Sequence, residues 1–219
     1  MISRFACLFS LSLLCSIVLV GQVLSQGSGG NSSKLESVSV GLRFSHYGPK
    51  VDNINTAFAN TEVTEGFPQG PQFDITYFAS ADVRYTIDVR HSVSVEGGLS
   101  LAKGTLQNSE SFTRVYSVGL EYYYSLRNRK ADFFGLDIGA GAGWLVANFE
   151  RDYTDRRVSV LKKSLTGNVS LLGWMSPGGP IDVEVEARYM FVPNVAVDVP
   201  QATLKLSSLL FGAGIAIGL

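Results

Sequence analysis

Along most of the chain, apolar and polar residues change places at every second position, the period of a β-strand whose two faces meet different surroundings. Val38, Val40, Leu42 and Phe44 share one face, and Ser39, Gly41, Arg43 and Ser45 the other. A longer run sets Phe73, Ile75, Tyr77, Ala79, Ala81, Val83, Tyr85 and Ile87 against Asp74, Thr76, Phe78, Ser80, Asp82, Arg84 and Thr86, so that Phe78 alone breaks the polar side. Six further runs are read at 93–101, 116–124, 134–146, 165–175, 181–191 and 209–219. In the run at 134–146 the face opposite Phe134 and Trp144 is mostly glycine, and in that at 181–191 Val183 and Val185 alternate with Asp182, Glu184, Glu186 and Arg188. The pattern predicts eight strands.

The connections sort these strands into one topology. Segments 48–72, 103–111, 150–157 and 193–202 are long or medium, and segments 88–91, 127–132 and 176–180 are short. Antiparallel strands joined in sequence then place every longer connection at one end and every short turn at the other, together with both termini. Several runs exceed the 5–6 residues common in soluble sheets. Their polar face carries Arg43, Asp82, Arg84, Glu96, Glu121, Asp137, Glu184, Glu186 and Arg188, which a soluble core would bury only at high cost. A polar lumen with the apolar face turned to lipid accommodates them. The fold expected over 37–219 is therefore all-β, an eight-stranded antiparallel up-and-down transmembrane β-barrel. Aromatic residues divide accordingly into two expected membrane-interface girdles. Tyr85, Tyr122, Tyr124 and Phe134 lie toward the short turns, and Phe44, Tyr77, Trp144, Tyr189 and Phe191 toward the long loops.

Composition narrows the rest. Arg4 followed by the apolar stretch 8–20 has the form of a secretory signal peptide, with cleavage expected after Ser25 and a flexible tail over 26–36. Cys7 and Cys15 both fall in that leader, so the mature chain would have no disulfide or thiolate metal site. A net charge of −1 gives no footprint for nucleic acid. His46 and His91 are expected near opposite rims in surface or structural roles. No nucleophile, acid–base pair or cofactor motif stands out, so no enzymatic activity, cofactor or metal is expected. The 48–72 connection reads as an irregular polar loop suited to surface recognition, and the charged 150–157 segment as solvated or in contact with lipopolysaccharide.

The leader, the alternating strands, the loop pattern and the apolar closing strand together resemble the small outer-membrane barrels of the OmpA, OmpX and OmpW type. The resemblance implies a bacterial outer-membrane location, outer-membrane lipid and lipopolysaccharide as surroundings, and an insertion signal at 209–219 for the barrel-assembly machinery. An envelope-integrity or surface-interaction role is the leading expectation. A narrow passage or binding barrel for a small apolar molecule, using the glycine-rich wall, is a second. A soluble, secreted lipocalin-like barrel is a third and demands the opposite orientation, with apolar residues inside and charges outside.

Overall fold

A computed structural model describes residues 37–106, 109–129, 132–153, 156–177, 180–197 and 202–219; the leader and the 26–36 tail read above lie outside them. The elements are β1 (Ser37–Tyr47), α1 (Asp52–Glu65), β2 (Tyr77–Thr86), β3 (His91–Leu106), β4 (Ser109–Ser125), β5 (Phe134–Asp152), β6 (Arg157–Met175), β7 (Ile181–Phe191), β8 (Val195–Val197), β9 (Ala202–Leu204) and β10 (Ser208–Gly218). Eight strands close a barrel in the order β1-β10-β7-β6-β5-β4-β3-β2, with β8 and β9 forming a separate small hairpin. Every barrel pairing is antiparallel, including the closing seam, where Val40 lies opposite Ile217. The barrel is thus of the up-and-down type, and closure leaves no free edge around its ring.

Strict alternation fixes the register, because a slip of one residue would exchange the faces. Val83 of β2 sits opposite Val40, and Val95 of β3 opposite Val83. Along β7, Glu184 is fully enclosed while the next residue, Val185, is 57% exposed. The apolar face therefore points away from the barrel and the charged face into it, the reverse of a lipocalin-like arrangement.

Three expectations need correction. The segments read as connections at 103–111 and 150–157 are largely strand. The β3–β4 ladder continues to Leu106 opposite Ser109, and the β5–β6 ladder to Asp152 opposite Arg157. Both hairpins project beyond β2 and β7, whose pairing stops at Ala79 and Phe191. Second, the run beginning at Phe73 is strand only from Tyr77, and Phe73 and Ile75 are buried rather than part of the outer face. Phe78, the residue that broke the polar face, also points inward.

Third, the 48–72 connection is not irregular, since it contains α1. Ile54, Ala57, Phe58 and Glu62 recur at the spacing of one helical face and are the buried ones. Asp52 places a negative charge at the positive end of the helix dipole. At the other end Gly66 adopts φ 73°, a left-handed conformation that glycine takes without strain, and the Gly66 and Phe67 amides both return to the Glu62 carbonyl.

Glycines on the inner face permit close backbone approach. A Cβ on Gly143 would lie 2.2 Å from the Val118 carbonyl oxygen, and one on Gly214 would lie 2.1 Å from that of Leu42. Side chains from neighbouring strands cover other glycines. Phe78 fills the space beside Gly98, and Trp174 that beside Gly135.

Candidate functional site

Among the described residues, the lumen holds the densest cluster of buried ionisable side chains. It is filled in layers, from the end of the short turns to the end of the long loops. Arg129, which the sequence pattern did not single out, reaches in from the β4–β5 turn to Asp137 (2.9 Å), Asp182 (3.3 Å) and Glu184 (3.2 Å). Trp174 donates its indole N–H to the other Asp137 oxygen at 2.9 Å. One step further in, Arg84 pairs with Glu184 at 2.8 Å and lies 4.8 Å above the Tyr123 ring. Arg43 is the hub, bonded to Asp82 at 2.7 Å, Glu96 at 2.8 Å and Glu184 at 3.2 Å. Arg188 then ties Glu96, Glu121 (3.2 Å) and Glu186 (2.8 Å) together, and the Tyr123 hydroxyl donates to Glu121.

All nine charged residues read as one polar face are thus enclosed in a single connected network, which Asp137 joins through Arg129. Charges taken from water need partners to offset their lost hydration, and these guanidiniums bridge carboxylates carried by different strands. Asp82, Glu96, Glu184 and Arg43 come from β2, β3, β7 and β1. The network therefore fastens strands distant in sequence across the lumen.

Above this layer the inner face changes character. On β5 the inward series Asp137, Gly139, Gly141, Gly143 continues as Leu145, Ala147 and Phe149, all buried. Val115 of β4, Val160 of β6, Leu210 of β10 and Met190 of β7 join them in one apolar cluster. α1 lies over this cluster, contributing Ile54 and Phe58, with Phe73 and Ile75 from the segment that follows it. Phe73 meets Phe58 and Phe149 edge-on at 4.9 and 5.5 Å. Leu204 and Leu206, from and just after β9, complete it, and the Tyr47 hydroxyl donates to the Leu206 carbonyl at 2.6 Å.

A polar clasp holds the cap. The buried Glu62 carboxylate accepts from Arg151, from the Tyr153 hydroxyl at 2.6 Å and from the Gly70 amide at 3.3 Å. Arg151 also donates to the Pro71 carbonyl and stacks over Phe58 and Phe73. Burial, reinforced by the hydrogen bond to Glu62, raises the Tyr153 pKa above that of a free tyrosine. Of the charged 150–157 segment, expected to be solvated or in contact with lipopolysaccharide, Arg156 and Arg157 are exposed. Arg151 instead is buried in the clasp, and Glu150 is enclosed between Arg114 (3.0 Å) and Arg157 (3.1 Å).

Between the ionic and apolar layers lies a cavity of about 20 Å³ lined in part by Ser117, Glu121, Asn168, Arg188 and Met190, room for about one water. Among the described residues, no group of His, Cys, Asp and Glu is placed to hold a metal ion. His46 lies on the outer face near the Tyr77 ring, and His91 contacts the Tyr122 hydroxyl beside the turn of Asp88 and Arg90.

The outer wall is the counterpart of this interior. Phe44, Tyr77, Tyr122, Phe134, Trp144, Tyr189 and Phe191 are exposed on it, and Tyr85 and Tyr124 are half-buried on the same face. On β5 the apolar outward series runs from Phe134 to Val146 before Asn148, Glu150 and Asp152 replace it. Beyond Val146, then, both faces exchange polarity, with apolar residues turning inward just as polar ones turn outward.

No protein-family model and no curated protein matches the chain. Its structure is similar to that of Neisserial surface protein A, with 12% identity, a TM-score of 0.51, and 82% of this chain and 96% of that one covered. It is likewise similar to Ail, the attachment invasion locus protein of Yersinia pestis, with 14% identity, a TM-score of 0.50, and 83% and 97% covered. A structure of Ail in complex with the heparin analogue sucrose octasulfate aligns at 12% identity and a TM-score of 0.50, covering 83% and 97%. What is shared at these identities is the fold, that of small eight-stranded outer-membrane barrels.

Proposed function

We propose that the protein is a bacterial outer-membrane barrel closed to passage, with an envelope-structural or surface-interaction role exercised by its outer wall and its long-loop end. One observation carries this reading. Residues such as Leu42, Phe44, Leu120, Trp144, Val185 and Phe211 are exposed around the ring, while the charges of the same strands are enclosed. In water this would leave a continuous apolar girdle unburied; in a bilayer it is the low-energy state. The height of the girdle agrees. From Phe134 to Val146, at ~3.3 Å per residue and a ~40° tilt, it rises about 30 Å, the thickness of a hydrocarbon core. The aromatic residues at its two margins serve as interfacial anchors on this reading, and the cap faces the cell exterior.

The filled lumen disfavours the alternative of a passage or binding barrel for a small apolar molecule. Ionic cross-links block its lower half and α1 with its apolar cluster the upper, and the cavity left beside Gly119 and Gly143, about 20 Å³, has room for a water and not for such a ligand. Membrane fractionation, with gel mobility compared before and after boiling, tests the reading. A compact unboiled band in the outer-membrane fraction is expected, as are flat current traces in planar bilayers. Recovery as a soluble protein would overturn the membrane assignment, and steady ion conductance would overturn the closed lumen.

A further inference from the structure

The margin of the apolar girdle near the long loops has a chemistry of its own. On four consecutive strands the outward apolar series is first interrupted by a polar residue, with Phe112 on β4 and the exposed Leu161 on β6 following it. On β3 it passes from Leu99 and Leu101 to Lys103, and on β4 from Val118 and Tyr116 to Arg114. On β5 it passes from Trp144 and Val146 to Asn148, and on β6 from Leu165 to Lys163. Three of these four first polar positions are cationic.

The register brings them together. Arg114 pairs across the ladder with Leu101 on one side and Asn148 on the other, and Lys163 pairs with Val146. Phe112 lies between two of the cations, with Lys103 5.1 Å and Arg114 5.2 Å from its ring. Lys103 and Arg114 are each satisfied on their far side by Glu110 (2.8 Å) and Glu150 (3.0 Å), which orients them without enclosing them. Lys163 has no carboxylate partner among the described residues and is exposed. Just below, Leu101, Trp144 and Leu165 are each more than 60% exposed.

We propose that Lys103, Arg114 and Lys163 form a site for the phosphate-bearing headgroup of an outer-leaflet lipid, with its acyl chains lying along Leu101, Trp144 and Leu165. The inference rests on the membrane reading above and deepens it. Cations placed where an apolar wall is first interrupted meet a ligand whose anionic part sits at the end of its apolar part. A guanidinium offers paired N–H donors to phosphate and an ammonium a mobile point charge. A soluble anion would use the cations and leave the adjoining Leu and Trp side chains without a role, so the arrangement favours a lipid.

The test is native mass spectrometry of the folded full-length barrel, exchanged into neutral detergent with diphosphorylated lipid A or with the dephosphorylated form of the same acylation. The wild-type protein should retain the phosphorylated form at least about tenfold over the other, and the triple variant Lys103→Ala, Arg114→Ala, Lys163→Ala should retain the two alike. Lys163→Glu alone, at an exposed position without an ion pair, should cut the preference about threefold or more and keep the boiling-dependent mobility shift even where the triple variant folds poorly. Equal retention by the wild type, or undiminished preference in Lys163→Glu, overturns the site while leaving the membrane reading intact. Failure of the wild type to insert into bilayers at all is the distinct failure of the membrane reading. Sucrose octasulfate supplies the soluble-polyanion arm. Weak competition that ignores Lys163→Glu is expected, and tight binding abolished by it would replace the lipid with a soluble ligand.

Discussion

The two halves of the lumen are built by the same strands and solve the same packing problem with opposite chemistry. Toward the short turns the interior is a lattice of guanidiniums and carboxylates; toward the long loops it is an apolar core under a helix. On the membrane reading, the difference follows from what lies outside the wall. Hydrophobic burial is driven by release from water. Against hydrocarbon, a Leu gains nothing by turning inward, and paired charges define the interior instead. Above the girdle the outward residues Asn148, Asp152 and Lys163 meet water, and Ala147, Phe149 and Val160 turn inward as in any soluble domain. On the membrane reading proposed above, the level at which β5 reverses its faces, between Val146 and Asn148, marks the edge of the hydrocarbon on the long-loop side.

The largest expected loss comes from breaking the ionic half at its hub. Arg43→Ala leaves Asp82, Glu96 and Glu184 short of a partner in a place water does not reach, and should destabilise the barrel by about 3–5 kcal/mol. Urea unfolding followed by the mobility shift would measure this, and the loss should hardly change with added salt, because enclosed pairs are little screened. The apolar half should respond differently. Leu145→Ala is expected to cost about 2–5 kcal/mol through lost contacts and the cavity left behind, and to loosen α1 before the lower ring, seen as earlier hydrogen exchange in 52–65.

Smaller effects separate the clasp from the core it covers. Glu62→Gln weakens charged hydrogen bonds from Arg151 and Tyr153 and should cost about 1–3 kcal/mol locally. Limited proteolysis should then cut within 66–76 while the boiling-dependent shift is retained. The smallest effect is on pH. Because Tyr153 has a raised pKa in the folded cap, it keeps its proton where an unfolded tyrosine would lose it. That contribution is complete below about pH 10 and is withdrawn as pH climbs above it. Proteolysis of the cap should accelerate at alkaline pH in the wild type, and Tyr153→Phe should remove the acceleration.

The barrel was legible in the sequence because two periods coincide. In β7 the alternation of Val183, Glu184, Val185, Glu186 reports both the strand and which side each residue takes. The cap was not legible, for a physical reason. α1 has only Ile54, Ala57 and Phe58 as apolar anchors among Asn, Thr and Glu, and owes its place to tertiary packing more than to its own amphipathicity. The strand extensions were hidden by the polarity reversal itself. Read with one rule throughout, Leu145, Phe149 and Val160 break the pattern, although they keep its period. Arg129 escaped because it enters the lumen from a turn, outside any alternating run, whereas Tyr123 carried a usable signal as a large side chain on the polar face of β4.

The central claim, hydrocarbon outside and ions within, can be read directly from the two tryptophans. Trp144 is 61% exposed on the girdle, and Trp174 is 2% exposed in the lumen beside Asp137. Quenching by lipids brominated along the acyl chain should strongly dim Trp144 in a Trp174→Phe protein and leave Trp174 nearly untouched in a Trp144→Phe protein. An unquenched Trp144, or quenching of Trp174 in its place, would contradict the account.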